Sequence, residues 1–366
     1  MKFRSANREK GIALIIVMIV IIVLATLAGG LAYSMKVETR LARNSSFDSD
    51  MENLGRSAVE RARWILAMQL RIPGQNTHTS LEQFWSSGDP GTNELFMGMS
   101  LENEEFPQGH TVIQIIDMER KFNISAIRDE RFSPILQKAM ESMGVDPIQV
   151  TDIVDSYLDW VDPDDNKRLH GAESEYYATL NPNAPYVAKN GLMDDISELL
   201  LIRGMTPEIY FGAGRAGNQP AFGAVPRPAP LGGPPGGGGS GGLAELFTTI
   251  SGAGMAVNVN TASAEVLQLL PGMDAALAQS IIDTRTAPEG MVGNRDDFSF
   301  KSRGELGNVP GMTPEVLNAM SQFIVTQSSI FLVHVEASLG NYVRHYEALL
   351  HRRNAMDVAI LYFRAL

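Results

Sequence analysis

Cysteine is absent from all 366 residues, which excludes disulfides and thiolate metal sites and leaves the redox compartment open, since a cysteine-free chain folds in either. Positive charge is scarce: 30 Lys and Arg stand against 42 Asp and Glu, a formal net charge of -12. A surface that holds nucleic acid or an anionic bilayer needs a cationic footprint, so this balance argues against both and favours divalent cations as small partners. The six histidines are scattered, with no HExxH pair, and no phosphate-binding glycine loop runs into a lysine. Gly238-Gly239-Ser240-Gly241-Gly242 matches the spacing of a nucleophile elbow only inside a low-complexity stretch, without the strand and helix that would strain the serine. Asp159 and Asp162, flanking Trp160, have the make-up of a glycosidase pair, yet nothing else in the chain supports substrate binding. No enzymatic function is expected.

Charge is also missing from Ile12 to Ala32. At ~1.5 Å per residue that run makes a helix of roughly 31 Å, the thickness of a bilayer core. Lys2, Arg4, Arg8 and Lys10 precede it against Glu9, which favours keeping this end in the cytoplasm; Lys36, Arg40 and Arg43 on the far side weaken the bias. A cleaved secretory signal ending near Gly30-Leu31-Ala32 is the alternative, but the apolar region of such a signal is about 7 to 15 residues, shorter than this one.

Beyond the span, residues 34 to 71 keep helical spacing, with Leu54, Ala58, Ala62 and Ile65 on one stripe and Pro73-Gly74 as the stop. Gly55 lies inside this helix at a cost of about 1 kcal/mol relative to alanine. Residues 111 to 124 read as two short strands joined through Met118-Glu119-Arg120-Lys121. A hairpin follows near the carboxyl end, with Phe331, Val333 and Val335 inward, a Gly340-Asn341 turn, and Tyr342, Arg344 and Tyr346 returning on one face, before a last strand, "DVAILYFR". Strand signals thus flank a region from roughly 125 to 326 that is mostly helical. The expected class is α+β: a long amino-terminal helix on a small antiparallel sheet, with an all-α domain inserted into it.

The inserted region repeats itself. "LLIRGMTPEIY", "LLPGMDAALAQ" and "NVPGMTPEVLN" share a Gly-Met turn before a new helix, with Thr206 and Thr313 placed as N-caps and Pro207 and Pro314 at the first helical position. These are units of the sterile-alpha-motif-like or helix-hairpin-helix kind. Residues 212 to 242, rich in glycine and proline, are expected to form a loop rather than core. "VNVNTASAEVLQLLPGM" resembles the hairpin of competence-type DNA-binding proteins, but Asp274, Ala275, Ala276 and Asp283 follow where basic residues would meet phosphate. Packing or protein contact is the preferred role, and a membrane-anchored DNA-uptake receptor the rival.

The densest polar cluster is "DSYLDWVDPDDNKRLHGAESEYY". With Asp162 as position one of a calcium loop, Asp164 is third, Asn166 fifth and Glu173 twelfth, whereas Lys167 replaces the turn glycine at the sixth. Hard oxygen donors without a histidine or thiolate set favour Ca²⁺ over zinc, and a solvated acidic loop is the alternative.

A short charged leader ending at Lys10-Gly11 before Ile12 resembles the cleavage site of type IV prepilins and type II secretion pseudopilins. The resemblance implies cutting after Gly11 by a prepilin peptidase and methylation of Ile12. The fifth mature position, a glutamate in most of that family, is Ile16 here. Its absence, together with Asp155, Asp159-Trp160, Asp162, Gly171-Ala172-Glu173, Tyr176, Asn190 and the Leu199-to-Gly204 turn, resembles the K-type minor pseudopilins. That likeness implies a leader at 1–11, a membrane segment at 12–32, a pilin-like part at 33–124, an inserted helical domain at 125–326 and closing strands at 327–366. It further implies inner-membrane anchoring with a periplasmic body, assembly with minor pseudopilins I and J, and a structural Ca²⁺ on Asp159, Asp162, Asp164, Asn166 and Glu173. The 212–242 stretch is an insertion relative to that pattern.

Overall fold

A computed structural model describes residues 8–90, 93–107, 109–128, 130–180, 185–212, 241–286, 298–340 and 342–366. Most of the 1–11 leader, nearly all of the glycine- and proline-rich loop, and Asn341 of the expected hairpin turn lie outside them.

Helix α1 (Arg8–Gln69) runs 62 residues without interruption. Its first part, Leu14–Thr39, is long and apolar enough to cross a membrane and is not buried against any of the described residues. The second part turns amphipathic: Met51, Leu54, Ala58, Val59, Ala62, Ile65 and Leu66 are buried, while Glu52–Arg56 and Glu60–Arg63 pair on the outer side. Gly74, with φ of 82°, follows the helix end as the Pro73-Gly74 stop predicts. A short α2 (Phe84–Ser87) covers the helix end, and β1 (Glu104–Phe106) and β2 (Gly109–Asp117) follow.

The chain leaves the sheet at Asp117 for a helical domain. This contains β3 (Phe122–Asn123), α3 (Ser133–Ser142), α4 (Pro147–Val161), α5 (Ser174–Leu180), α6 (Pro207–Phe211) and α7 (Leu243–Leu246). It continues through β4 (Phe247–Thr248), β5 (Val257–Asn258), α8 (Ala264–Gln268), α9 (Ala275–Arg285), α10 (Pro314–Met320) and β6 (Ile324–Val325). The chain re-enters as β7 (Ile330–Leu339), β8 (Tyr342–Asn354) and β9 (Asp357–Ala365). The sheet order is β1-β2-β7-β8-β9, antiparallel throughout, so the strands on either side of the inserted domain are neighbours. Ile113, Ile115, Phe331, Val333, Val335 and Tyr346 face α1 and form one core with it. Tyr342 meets Phe47, and Arg344 pairs with Asp48, on the same face as Tyr346, as the alternation predicts.

Two sequence expectations change. The second strand of 111–124 does not return along the first: β3 pairs in parallel with β4 of the helical domain. The hairpin repeat has four members rather than three, because Gly144 (φ 78°) opens the same turn as Gly204 (82°), Gly272 (73°) and Gly311 (89°). Each is followed two residues later by an N-cap, Asp146, Thr206, Asp274 or Thr313, whose side chain accepts from a backbone N–H of the next helix. The last two hairpins pack reciprocally: the turn at Gly272 lies on Val316, and the turn at Gly311 lies on Leu277, each the third residue of the other's helix. In the first pair Gly204 lies on Ile153, and Gln149 Nε2 donates to its carbonyl. The helical domain has its own core, separate from that of the sheet.

A buried polar joint links the two. Asp117 Oδ2 accepts from Asn258, Thr261 and Ser328, while Glu119 accepts from the N–H groups of Gly252 and Ile330 and from Ser329. Arg352 of β8 donates to Thr79 and to the carbonyl of Ser328.

Candidate metal centre

Helix α4 starts with Asp146 as N-cap and Pro147 in its first turn, and carries Asp155 and Asp159 one turn apart near its end, so both carboxylates point toward the loop that follows. Asp162 ends the helix, its N–H returning to the Leu158 carbonyl at 3.0 Å. Residues 162 to 173 then fold back over α4. Arg168 Nη1 donates to Asp159 Oδ1 at 2.7 Å and to Asp162 Oδ2 at 2.5 Å, and the Arg168 N–H reaches both oxygens of Asp159. The His170 N–H meets Asp155 Oδ2 at 3.1 Å. Gly171 is required by space: a Cβ there would collide with Asp159 Oδ2. Asn190, with φ of 48°, is the one non-glycine residue in the left-handed region among the described residues. Its Nδ2 donates to Asp165 Oδ1 at 3.0 Å, which also accepts from Ser174 Oγ.

Four oxygens of this region are buried with no hydrogen-bond partner: Asp162 Oδ1, both oxygens of Glu173, and Asn190 Oδ1. A buried acceptor left unmade costs about 1–3 kcal/mol, more for a charged group, so these oxygens are the candidates for a cation. The Glu173 side chain belongs to a residue only 5% exposed. Burial, then the charges of Asp159, Asp162 and Asp165, push its carboxyl up to about 7. These are the signs of a carboxylate among carboxylates that lacks a counter-ion. Carboxylate and amide oxygens are hard donors of the kind Ca²⁺ takes, and Asp165, whose charge acts on Glu173, is hydrogen-bonded to Asn190 and Ser174.

The expected ligands are distributed unequally. Asp162 and Glu173 both keep buried, unpartnered oxygens, and the Asp162 charge acts on Glu173. Asp159, fully buried, spends both oxygens on Arg168. Asp164 and Asn166 are exposed, with Asp164 Oδ1 accepting from the Asn166 N–H in a local turn. Among the described residues no three Asp, Glu or His side chains converge closely enough to hold a metal as they stand. Asp165 and Asn190 are the additions that the loop count missed, and the Asn190-Gly191 pair was the available signal for the left-handed turn.

The other readings meet plain obstacles. Trp160 is buried against Tyr177, which leaves no open face for a sugar between Asp159 and Asp162. At the DNA-binding-like hairpin, Lys138 Nζ donates to the turn carbonyls of Leu270 and Met273, so the basic group nearest the turn is spent inside the fold.

A spine helix that runs from an exposed apolar stretch into an antiparallel sheet, with a domain inserted between neighbouring strands that is mostly helical rather than all-α because β3–β4 and β5–β6 pair within it, defines the pilin-like α+β class. Residues 120–212 match the profile described as "Type II secretion system (T2SS), protein K", and 253–325 match the "Helix-hairpin-helix motif". Type II secretion system protein K of Pectobacterium carotovorum subsp. carotovorum is 21% identical over 94% of this chain and 93% of its own. The Pseudomonas aeruginosa protein K is 25% identical over 83% and 79%. The putative protein K of Escherichia coli K12 is 25% identical over 56% of this chain, which spans 60% of that relative's length. In solved structures, a chain of the GspK-GspI-GspJ complex of enterotoxigenic Escherichia coli matches with a TM-score of 0.63 and 16% identity, over 89% of this chain and 99% of its own, which shows the fold. The chain is thus similar to type II secretion system K proteins in a profile match at 120–212 and in relatives aligned along most of its length.

Proposed function

We propose that this protein is a minor pseudopilin that caps and initiates the periplasmic pseudopilus of a type II secretion system. The continuity of α1 carries the reading: one helix is exposed over Leu14–Thr39 and free of charge as far as Ala32, then becomes the spine of the sheet core without a break. Such a helix is at home in lipid and equally in a bundle of similar helices. Lipid is as apolar as leucine, so assembly rests on helix packing rather than on escape from water. Ile16, 55% exposed, stands where a carboxylate would greet the terminal ammonium of a neighbouring subunit. A buried carboxylate is costly unless paired, so a subunit with none above it is better without one. The helical domain inserted between β2 and β7 adds the bulk that refuses a further subunit overhead.

Before assembly the chain is a single-pass precursor in the inner membrane, cut after Gly11 by the prepilin peptidase and methylated on Ile12, with its body in the periplasm. Its partners are minor pseudopilins I and J and the shaft subunits. No catalysis and no nucleic acid are involved. A calcium ion braces the helical domain, held by Asp162 and Glu173 with Asn190 and supported by Asp165; of the loop-count set, Asp159 acts through Arg168, and Asp164 and Asn166 would join only if the loop turned inward.

Pseudopili sheared from cells test the reading in one preparation. Gold label on this chain is expected at one end of each filament, with mass spectrometry giving N-methylated Ile12 as its first residue. Label repeated along the shaft, or a chain starting at Met1 or Tyr33, overturns it.

A further inference from the structure

We propose that Arg168 is a positioning residue for the cation: a built-in counter-charge that fixes loop 162–173 before metal arrives and turns one oxygen of Asp162 toward Glu173. The inference rests on the calcium reading above. Its basis is the division of labour among the oxygens. One guanidinium nitrogen bridges Asp159 and Asp162, and the backbone N–H of the same residue is anchored on Asp159, so side chain and main chain are pinned to one buried carboxylate. The bridge takes only Oδ2 of Asp162 and leaves Oδ1 buried and without a partner, as are both oxygens of Glu173. Asp159, Asp162, Asp165 and Glu173 repel one another through low-dielectric surroundings, and a single planar cation set between two of them lowers that repulsion without occupying the free oxygens. Partners that orient ligands in this way typically account for about 10- to 100-fold in metal affinity.

The test is calcium titration calorimetry on the full chain in detergent, with hydrogen exchange of residues 162–173 in metal-free protein as a readout independent of secretion. Arg168→Gln is expected to weaken calcium binding at least about tenfold and to speed exchange of the loop, while exchange of β7 stays as in wild type and shows the body folded. Arg168→Lys, which keeps the charge but not the fork, should fall between. Calcium binding by Arg168→Gln that is as tight as wild type, or tighter, overturns the proposal, since the guanidinium would then be a bystander or a plug. Wild-type protein that takes up no calcium sinks the cation reading itself, and this one with it.

Discussion

Glu119 is a fully buried carboxyl whose acidity is set by its surroundings. Burial, then the neighbouring Asp117 charge, push it up to about 7, against the opposing hydrogen bonds from Ile330 and Ser329. A folded-state value above the ordinary 4.5 means that between these two the native chain holds a proton that the unfolded chain has released. Its stabilising contribution is therefore complete below about 4.5 and is lost as pH rises through about 7, with a slope of at most ~1.4 kcal/mol per unit. Thermal midpoints of wild type and Glu119→Gln compared from pH 5 to 8 should show wild type losing more; parallel curves would mean that Glu119 is ionised throughout. The candidate metal site shows how far single residues were legible. Asp162 and Glu173 stood out as the ends of a twelve-residue oxygen pattern, and both carry buried oxygens without a partner, the Asp162 charge acting on Glu173. Asp164 and Asn166 did not follow, because Lys167 holds the place of the turn glycine and the loop folds flat onto α4 through Arg168 rather than wrapping a centre. Asn190 lies in a separate segment, outside any twelve-residue count, and is marked by its place in the K-type pattern and by its left-handed backbone.

At the scale of elements, α1 and the terminal hairpin were readable because each carries its own period. The two-residue β3 was not, since its partner, β4, lies across the inserted domain and no local pattern encodes it. The fourth hairpin turn escaped because Val145 stands where the others have methionine, although Gly144 and the Asp146-Pro147 cap were in plain view. Gly55 reverses sign between the two levels. By helix propensity alone, alanine there gains about 1 kcal/mol. In the fold, a Cβ would fall within 2.6–2.9 Å of the Tyr346 ring, which is itself stacked on Phe363 at 5.3 Å and cannot withdraw freely. Overpacking of this kind costs about 1–3 kcal/mol, so the contact wins. Gly55→Ala is expected to lower the thermal midpoint by a few degrees. A rise would show that Tyr346 yields and that the helix, rather than its seat on β8, limits stability.

The whole molecule poses a question of cooperativity, because two cores that share no buried apolar residue could unfold independently. The insertion at 212–242 does not bear on this, since its two ends meet: a Cβ on Gly242 would strike the Gly212 N–H and the Tyr210 carbonyl, so the helical domain closes without it. What couples the cores is the polar joint at the crossover. Asp117, the last residue of β2, gathers donors from positions 141, 144 and 211 residues away, which is why its role is invisible in local sequence. Two of these belong to the helical domain and one to the returning strand segment, and the Asp117 charge also balances Arg352, buried on β8 and stacked on Phe331 at 4.6 Å. Removing one partner of such a set strands the rest in low dielectric, at about 3–5 kcal/mol. The cost falls on the joint, since neither core loses an apolar contact. Calorimetry of Asp117→Ala should therefore split the single transition expected of wild type into two, the helical domain melting apart from the sheet, with added calcium raising only the helical component. One transition at the wild-type temperature would mean that the backbone crossovers alone couple the two bodies.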